Sequence, residues 1–211
     1  MSVEKRVYVV GAGGHAKVVI STMRAEGYDV DAVFDDDGHK CGKQLLGVPV
    51  VGSITDLQRL GPARAVLAVG SNSARKALAA RLDGMDWVRV VHPSATLHPT
   101  VRLGPGTVVF AGAIIQPDTI IGAHSIVNTG ATIDHDCVIG DYVHVAPGAH
   151  LAGGVRLDEG VLLGIGSAVI PGVRIGSWAT VGAGGVVVKD LDAGVVAVGA
   201  PARVVRQTES V

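Results

Sequence analysis

The stretch Val127-Asn-Thr-Gly-Ala-Thr-Ile133-Asp-His-Asp-Cys-Val-Ile139-Gly-Asp-Tyr-Val-His-Val145 places an aliphatic residue at every sixth position. The register continues upstream through Ile121, Ile115, Val109, Leu103 and Leu97 to Val91. Downstream it runs through Leu151, Leu157, Leu163, Val169, Ile175 and Val181 to Val187, seventeen positions without exception. Four residues after each aliphatic position stands a mostly small one, as in Ala95, Ala113, Ala131, Cys137, Ala149, Ser167 and Ala179. Neither a 3.6-residue helix nor a hairpin array has this period. A period of six with one aliphatic and one small inward position describes a β-helix, three short faces to a coil of 18 residues. Seventeen hexads make roughly 5.7 coils, a prism on the order of 27 Å long at the spacing of hydrogen-bonded strands.

Positions 18 residues apart stack. One corner carries Gly112, Gly130, Gly148, Gly166 and Gly184; a second carries Asp118, Asp136, Gly154, Gly172 and Asp190; a third carries Gly106, His124, Tyr142, Gly160 and Trp178. The glycine column permits tight turns and leaves a smooth edge, flanked by Gly164, Ile165, Gly182 and Ala183, along which an extended ligand can lie. Cys137, at a small inward position, reads as core filler. Phe110, Tyr142 and Trp178 stand outward and predict that one side of the prism is covered by closing a three-fold ring.

Composition suits such a core. The chain of 211 residues is 48% hydrophobic but only 3% aromatic, with 30 glycines, and its mean hydropathy is +0.42. Eighteen Lys and Arg against nineteen Asp and Glu leave a net charge of −1, which gives nucleic acid or an anionic membrane no basic footprint. The long uncharged stretches carry glycine and proline and fall short of the roughly 20 apolar residues of a span. Cys41 and Cys137 are too few for a disulfide framework, which points to a reducing cytoplasm. Met1 to Arg6 leads into a strand pattern rather than a signal-peptide core. His135, His144 and His150 are nine and six residues apart, so they point in different directions and no metal site is expected on one chain.

The first 88 residues follow another rule. An apolar run, Arg6 to Val10, leads into Gly11-Ala-Gly-Gly14-His15, a helix to about Glu26, and a strand from Asp29 that ends in Asp35-Asp36-Asp37. A second unit follows, with Val48 to Gly52, a helix from about Ile54 to Leu60, a strand from Ala65 to Gly70 and a helical segment ending near Leu82. This is a Rossmann-like α/β pattern whose glycine turn brings a helix N-terminus toward a phosphate. Gly11, Gly13 and Ala16 approach the dinucleotide fingerprint. The segment is about half a doubly wound domain, however, and a β-helix follows it. A mononucleotide or nucleotide-sugar site is therefore the better reading than a nicotinamide site. The expected division is 1–88, 89–191 and a tail from 192 to 211.

Gly11-Ala-Gly-Gly-His15-Ala-Lys17, Asp35-Asp36, Gly47-Val-Pro-Val-Val-Gly52, His92-Pro-Ser-Ala95, Asn128-Thr-Gly-Ala-Thr-Ile-Asp-His135-Asp-Cys137 and Gly199-Ala-Pro-Ala-Arg203 together resemble the sugar O- and N-acyltransferases. This hexapeptide-repeat family includes the bacillosamine-pathway and perosamine N-acetyltransferases and the sialic acid O-acetyltransferases, and the resemblance spans nearly the whole chain. It implies a left-handed parallel β-helix, a homotrimer and acetyl-coenzyme A (acetyl-CoA) as donor. It also implies a nucleotide-sugar domain in which Gly11, Gly13, Gly14, His15, Asp35 and Asp36 face the substrate. The pantetheine arm would lie along Gly164-Ile165-Gly166 and Gly182-Ala183, with a coenzyme A contact at His144 across a subunit interface. His135 would be the catalytic base.

The residues suit that chemistry. His135 sits on an outward turn two residues after inward Ile133 and titrates near neutral pH. Gly153, 18 residues later, is expected to leave space for the acetyl group beside the imidazole and to offer its N–H to the oxyanion. Asp136 can orient the ring or stabilise the imidazolium. The leading expectation is acetyl transfer to the amine of a UDP- or GDP-linked 4-amino-deoxy sugar for surface glycan synthesis. Transfer to a sugar hydroxyl and a non-catalytic scaffold are the alternatives; the His135-Asp136 pair argues against the scaffold, and the sequence does not choose between amine and hydroxyl.

Overall fold

The computed structural model describes residues 6–207; the reading of the extreme N-terminus falls largely outside them. The chain begins with β1 (Arg6–Val10), α1 (Gly14–Glu26), β2 (Asp29–Phe34), β3 (Gln44–Leu45), β4 (Val48–Gly52), α2 (Ile54–Leu60), β5 (Arg64–Leu67), α3 (Asn72–Arg81) and β6 (Asp86–Trp87). The sheet order is β3-β4-β2-β1-β5-β6, parallel except at the β3-β4 hairpin. β1 is central and apolar on both faces, with Val7, Val9 and Val10 buried, as a covered parallel strand requires. α1 buries Ala16, Val19, Ile20 and Met23, the spacing of one helical face. It ends at Gly27, φ 90°, with Tyr28 N–H returning to the Met23 carbonyl at 2.9 Å, a glycine-terminated stop.

From Val90 the chain winds as a parallel β-helix of two-residue strands, each pairing with the strand 18 residues on, for example Val108 with Ile126, Thr132 with His150 and Val138 with Arg156. The first face carries Val90, Val108, Ile126, His144, Leu162 and Thr180 outward; the second Thr96, Ile114, Thr132, His150, Ala168 and Val186; the third Arg102, Ile120, Val138, Arg156 and Arg174. The sixth-residue aliphatics from Val109 to Val187 are all buried, and the small positions between them close the core. Polar members of that small set tie successive coils together. Thr107, Thr119 and Ser125 donate to the carbonyls of Gly122, Asp134 and Gly140 at 2.6, 2.9 and 2.9 Å. Cys137 belongs to the same ladder, 3.3 Å from the Ala152 carbonyl. Burial pushes its thiol up to about 11, so it is inert filler.

Corner residues adopt left-handed backbone even where they are not glycine: φ is 58° at Asp136, 53° at His124, 56° at Tyr142 and 61° at Trp178. At the C-terminal end, residues 192–207 of the expected tail extend the first face. Val195–Val198 pairs parallel with Thr180-Val181, and Arg203–Gln207 folds back antiparallel on it.

One expectation is corrected here. Phe110 does not await a three-fold ring, because the N-terminal domain of the same chain covers it, and that domain half-buries Tyr142. Val90, Val108, Ile126 and Phe110 are buried with Val19, Ile20 and Met23 of α1, and Tyr142 packs with the cluster under α3. The two domains therefore share one apolar seam. Phe110→Ala is expected to destabilise the fold by about 3–5 kcal/mol, read as a lower denaturation midpoint; a change under about 1 kcal/mol would mean that the seam contributes little. No helix among the described residues is long and apolar enough to cross a membrane.

Candidate active site

The glycine loop is shaped by β1, β2 and β5. Gly11, φ 102°, donates to the Phe34 carbonyl at 2.8 Å, and a Cβ there would lie 2.7 Å from Val69 Cγ2. Only glycine fits. Gly13 caps α1 without a side-chain bond, and the first turn carries no acidic residue. Exposed Gly13 and Gly14 thus present the positive end of a 13-residue helix to the cleft.

Asp35 and Asp36, expected to face substrate, are engaged by the protein. Asp35 accepts the N–H of Ala12 at 2.6 Å and of Asp37 at 2.9 Å, and pairs with Lys40 Nζ at 3.1 Å. Burial opposes its charge, but these donors together hold the carboxyl below its usual range. It braces the glycine loop. Asp36 accepts the Ile54 N–H at the start of α2, 3.0 Å, and Arg81 Nη1, 2.5 Å.

Beyond the loop, the N-terminal domain and the first face form a cleft. His15, from α1, lies with its ring centroid 5.4 Å from Phe110 and 6.3 Å from His144. Its Nε2 is buried with no hydrogen-bond partner among the described residues. His144 Nε2 lies 3.0 Å from Asn128 Nδ2. Both rings are pushed down to about 4, first by burial and then by the nearby Arg75 guanidinium. They are neutral at physiological pH. A cavity of about 230 Å³, lined by Gly70, Ser71, Asn72, Trp178 and Thr180 among others, adjoins the Gly70 loop.

His135 occupies the corner between the second and third faces. Its Nδ1 is 2.7 Å from Asp136 Oδ2, and Asp134 Oδ1 accepts the His135 backbone N–H at 2.8 Å. The ring is 60% exposed. The Asp136 hydrogen bond, reinforced by the Asp134 charge, raises its basicity above the ordinary imidazole value. Gly153 does lie beneath it, but the space is used differently from the expectation. A Cβ on Gly153 would lie 2.6 Å from both Cε1 and Nε2, so the imidazole itself fills the notch. The Gly153 N–H has no acceptor among the described residues.

The glycine edge lies at the corner between the first and second faces. Gly166 and Gly184, φ 65° and 66°, face open space. Their N–H groups are committed to the coil, to the Pro147 carbonyl at 3.0 Å and the Ile165 carbonyl at 2.8 Å. The N–H groups of Ile165 and Ala183 have no such acceptor among the described residues. Ile165 is 62% exposed, and a Cβ on Gly164 would lie 2.6 Å from the Ala183 nitrogen, so successive turns pack flush. The structure therefore brings His15 to His144, His135 to Asp136 and Gly153, and Gly164 to Gly182 and Ala183. Within one chain it keeps His135 and the glycine edge on opposite borders of the second face. Sequence reasoning passed over Arg75, Asn72 and Asn128; only Asn128 lay in a quoted motif.

Residues 6–82 match the PglD N-terminal domain, and residues 118–153 match the bacterial transferase hexapeptide repeats. The structure of PerB from Caulobacter crescentus, solved with CoA and GDP-perosamine, is 46% identical, with a TM-score of 0.88 over 94% of this chain and 96% of that one. The acetyltransferase domain of PglB from Neisseria gonorrhoeae, solved with acetyl coenzyme A, is 37% identical, with a TM-score of 0.90 over 95% and 99%. UDP-N-acetylbacillosamine N-acetyltransferase of Bacillus subtilis is 44% identical over 114 residues, 51% of this chain. The chain spans 52% of that relative and 22% of a 32%-identical uncharacterized mimivirus protein. The chain belongs to the hexapeptide-repeat sugar acyltransferases with a PglD N-terminal domain, the family of the perosamine and bacillosamine N-acetyltransferases.

Proposed function

We propose that this protein transfers the acetyl group of acetyl-coenzyme A to the amine of a nucleotide-linked 4-amino sugar, with His135 as base. The observation that carries this reading is the His135-Asp136 pair at 2.7 Å. Asp136 accepts from Nδ1, which leaves the Nε2 lone pair directed outward over Gly153. The amine nitrogen attacks the thioester carbon, the carbonyl oxygen becomes an oxyanion near the Gly153 N–H, and the C–S bond breaks. Nε2 takes the proton that the amine loses and returns one to the departing thiolate. Asp136 supports the imidazolium that forms between these steps. The Caulobacter structure, with its CoA and GDP-perosamine, favours an amine over a hydroxyl acceptor.

The exposed start of α1 and the His15-His144 cleft suit a sugar nucleotide, with the diphosphate at the helix end. Gly164, Ile165, Gly166, Gly182 and Ala183 suit the pantetheine arm, whose amides can bond the open N–H groups of Ile165 and Ala183. Because that edge and His135 border the second face on opposite sides, a homotrimer completes the site by setting one chain's edge beside its neighbour's His135. His144 then contributes from the cleft side to the bound coenzyme. A donor and an acceptor of these two classes suit a reaction in the cytoplasm.

The groove is tested by Ala183→Trp. This variant is expected to raise the KM for acetyl-coenzyme A by about tenfold or more while the KM for the sugar nucleotide stays within about twofold. Equal weakening of both substrates would contradict the groove assignment. Light scattering is expected to give the mass of three chains, and a monomer at micromolar concentration would contradict the shared site.

A further inference from the structure

Arg75 of α3 is 1% exposed and has no carboxylate partner among the described residues. A buried guanidinium without a counterion is costly unless its donors are used, and here they go to carbonyls of both domains. Nη1 donates to the Val69 and Gly70 carbonyls at 3.1 and 3.2 Å, in the loop after β5. Nε donates to the His124 carbonyl at 2.6 Å and Nη2 to the Tyr142 carbonyl at 2.8 Å, two corner residues on successive coils of the prism. Nη2 also donates to Asn72 Oδ1 at 2.9 Å. Asn72 Nδ2 in turn donates to the Gly160 and Val161 carbonyls at 3.0 and 3.2 Å, one coil further on. Among the described residues, the carbonyls of His124, Tyr142 and Gly160 take no backbone hydrogen bond. The coil leaves them free, and covering them with α3 requires a donor for each.

The rest of the seam cannot set a register. Val19, Ile20 and Met23 of α1 meet Val90, Val108, Ile126 and Phe110 by apolar contact, which is non-directional and tolerates a small slide along the prism. Hydrogen bonds are directional, and a planar fork fixed to two coils that repeat at about 4.8 Å admits one height. The other end of the fork reaches the glycine loop. Ala68 N–H donates to the Val10 carbonyl at 2.7 Å, and a Cβ on Gly11 would lie 2.7 Å from Val69 Cγ2 and 3.2 Å from the Ala68 carbonyl oxygen. The glycine loop therefore rests directly on the segment that Arg75 holds.

We propose that Arg75, with Asn72, is a positioning residue for the acceptor: the two side chains fix the height of the N-terminal domain along the prism, and with it the gap between the start of α1 and His144 on the first face. A sugar nucleotide bridges that gap, whereas the pantetheine edge belongs to the prism alone. Loss of the clip therefore weakens one substrate and spares the other. This kinetic consequence rests on the acetyl-transfer reading; the fixed height does not.

The test pairs a distance with a KM split. Spin labels on exposed Cys41 and on an Arg156→Cys replacement at an exposed site of the third face, diluted with unlabelled chains, report the separation of the two domains. The otherwise unaltered protein is expected to give one narrow distance. Arg75→Lys keeps the charge and loses the fork of donors. It is expected to broaden or shift that distance by up to about one coil spacing, about 4.8 Å. Without labels, the same variant is expected to raise the KM for the sugar nucleotide about tenfold while the KM for acetyl-coenzyme A stays within about twofold. Asn72→Ala, at the half-buried start of α3, tests the same clip if the arginine variant fails to fold, with a loss of about threefold. A folded variant with an unchanged distance would overturn the proposal, as would one whose KM is unchanged for the sugar nucleotide or raised equally for both substrates. The expected change in distance in a protein that transfers no acetyl group would support the fixed height and count against the acetyl-transfer reading alone.

Discussion

Replacing His135 by alanine is expected to lower kcat by about 10²–10⁴, the usual worth of a positioned general base, with unfolding midpoint and substrate affinity nearly unchanged. The fold does not depend on this ring, which is 60% exposed and, among the described residues, bonded through its side chain only to its sequence neighbour Asp136. The pH profile adds a second check. Asp136, with help from Asp134, holds the His135 ionisation above the ordinary imidazole value, and a general base acts as the deprotonated ring. Activity should rise with pH through an inflection somewhat above 6.5. Asp136→Asn should move that inflection downward, because the imidazolium loses its anionic acceptor, and should cost less in kcat than His135→Ala. Profiles of kcat against pH for the three proteins decide this; an unmoved inflection would detach Asp136 from the base.

Gly153→Ala is the second large effect expected, although it removes no functional group. The new Cβ would lie 2.6 Å from Cε1 and Nε2 of His135, closer than such contacts allow. Gly153 is not in the left-handed region of the backbone, so the substitution adds no turn strain. The exposed ring is what yields: it swings outward and leaves the line between Asp136 and the acceptor. Misplacement by about 1 Å can cost on the order of 10²-fold, so kcat should fall by about 10–100-fold at constant stability. Steady-state kinetics paired with thermal melts check this. A Gly153→Ala protein with wild-type kcat would mean that the notch does not set the ring's position.

The architecture was legible because it is periodic. One aliphatic residue in six, from Val91 to Val187, forces the coil, and the 18-residue stacking follows from it. The glycine turn, its helix and the alternation after it were legible for the same reason: local spacing decides them. What spacing does not reveal is which outward residues another domain will cover. Phe110 was expected at a subunit interface and is buried by α1. Gly153 was expected to leave a void, and its own stacking partner fills it.

Arg75 was illegible for a related reason. Asn72-Ser-Ala-Arg-Lys-Ala-Leu-Ala-Ala-Arg81 reads as a helix with a solvated basic face. Nothing local distinguishes buried Arg75 from exposed Lys76, which pairs with Glu159. The difference is made by carbonyls 49 and 67 residues away, which the docking of the two domains brings within reach. Asp35 and Asp36 show the same limit: they were expected to face the substrate, and spacing alone did not reveal their partners Ala12, Lys40, Ile54 and Arg81.

The central claim is acetyl transfer to a nucleotide-linked amine through His135. Thiol release from acetyl-coenzyme A, followed with a panel of UDP- and GDP-linked 4-amino sugars, tests it most directly. Release is expected with at least one member of the panel, stoichiometric with amide formation and reduced at least about 10²-fold in His135→Ala. Equal release by the wild type and His135→Ala, or none from the wild type with any sugar of the panel, would contradict it.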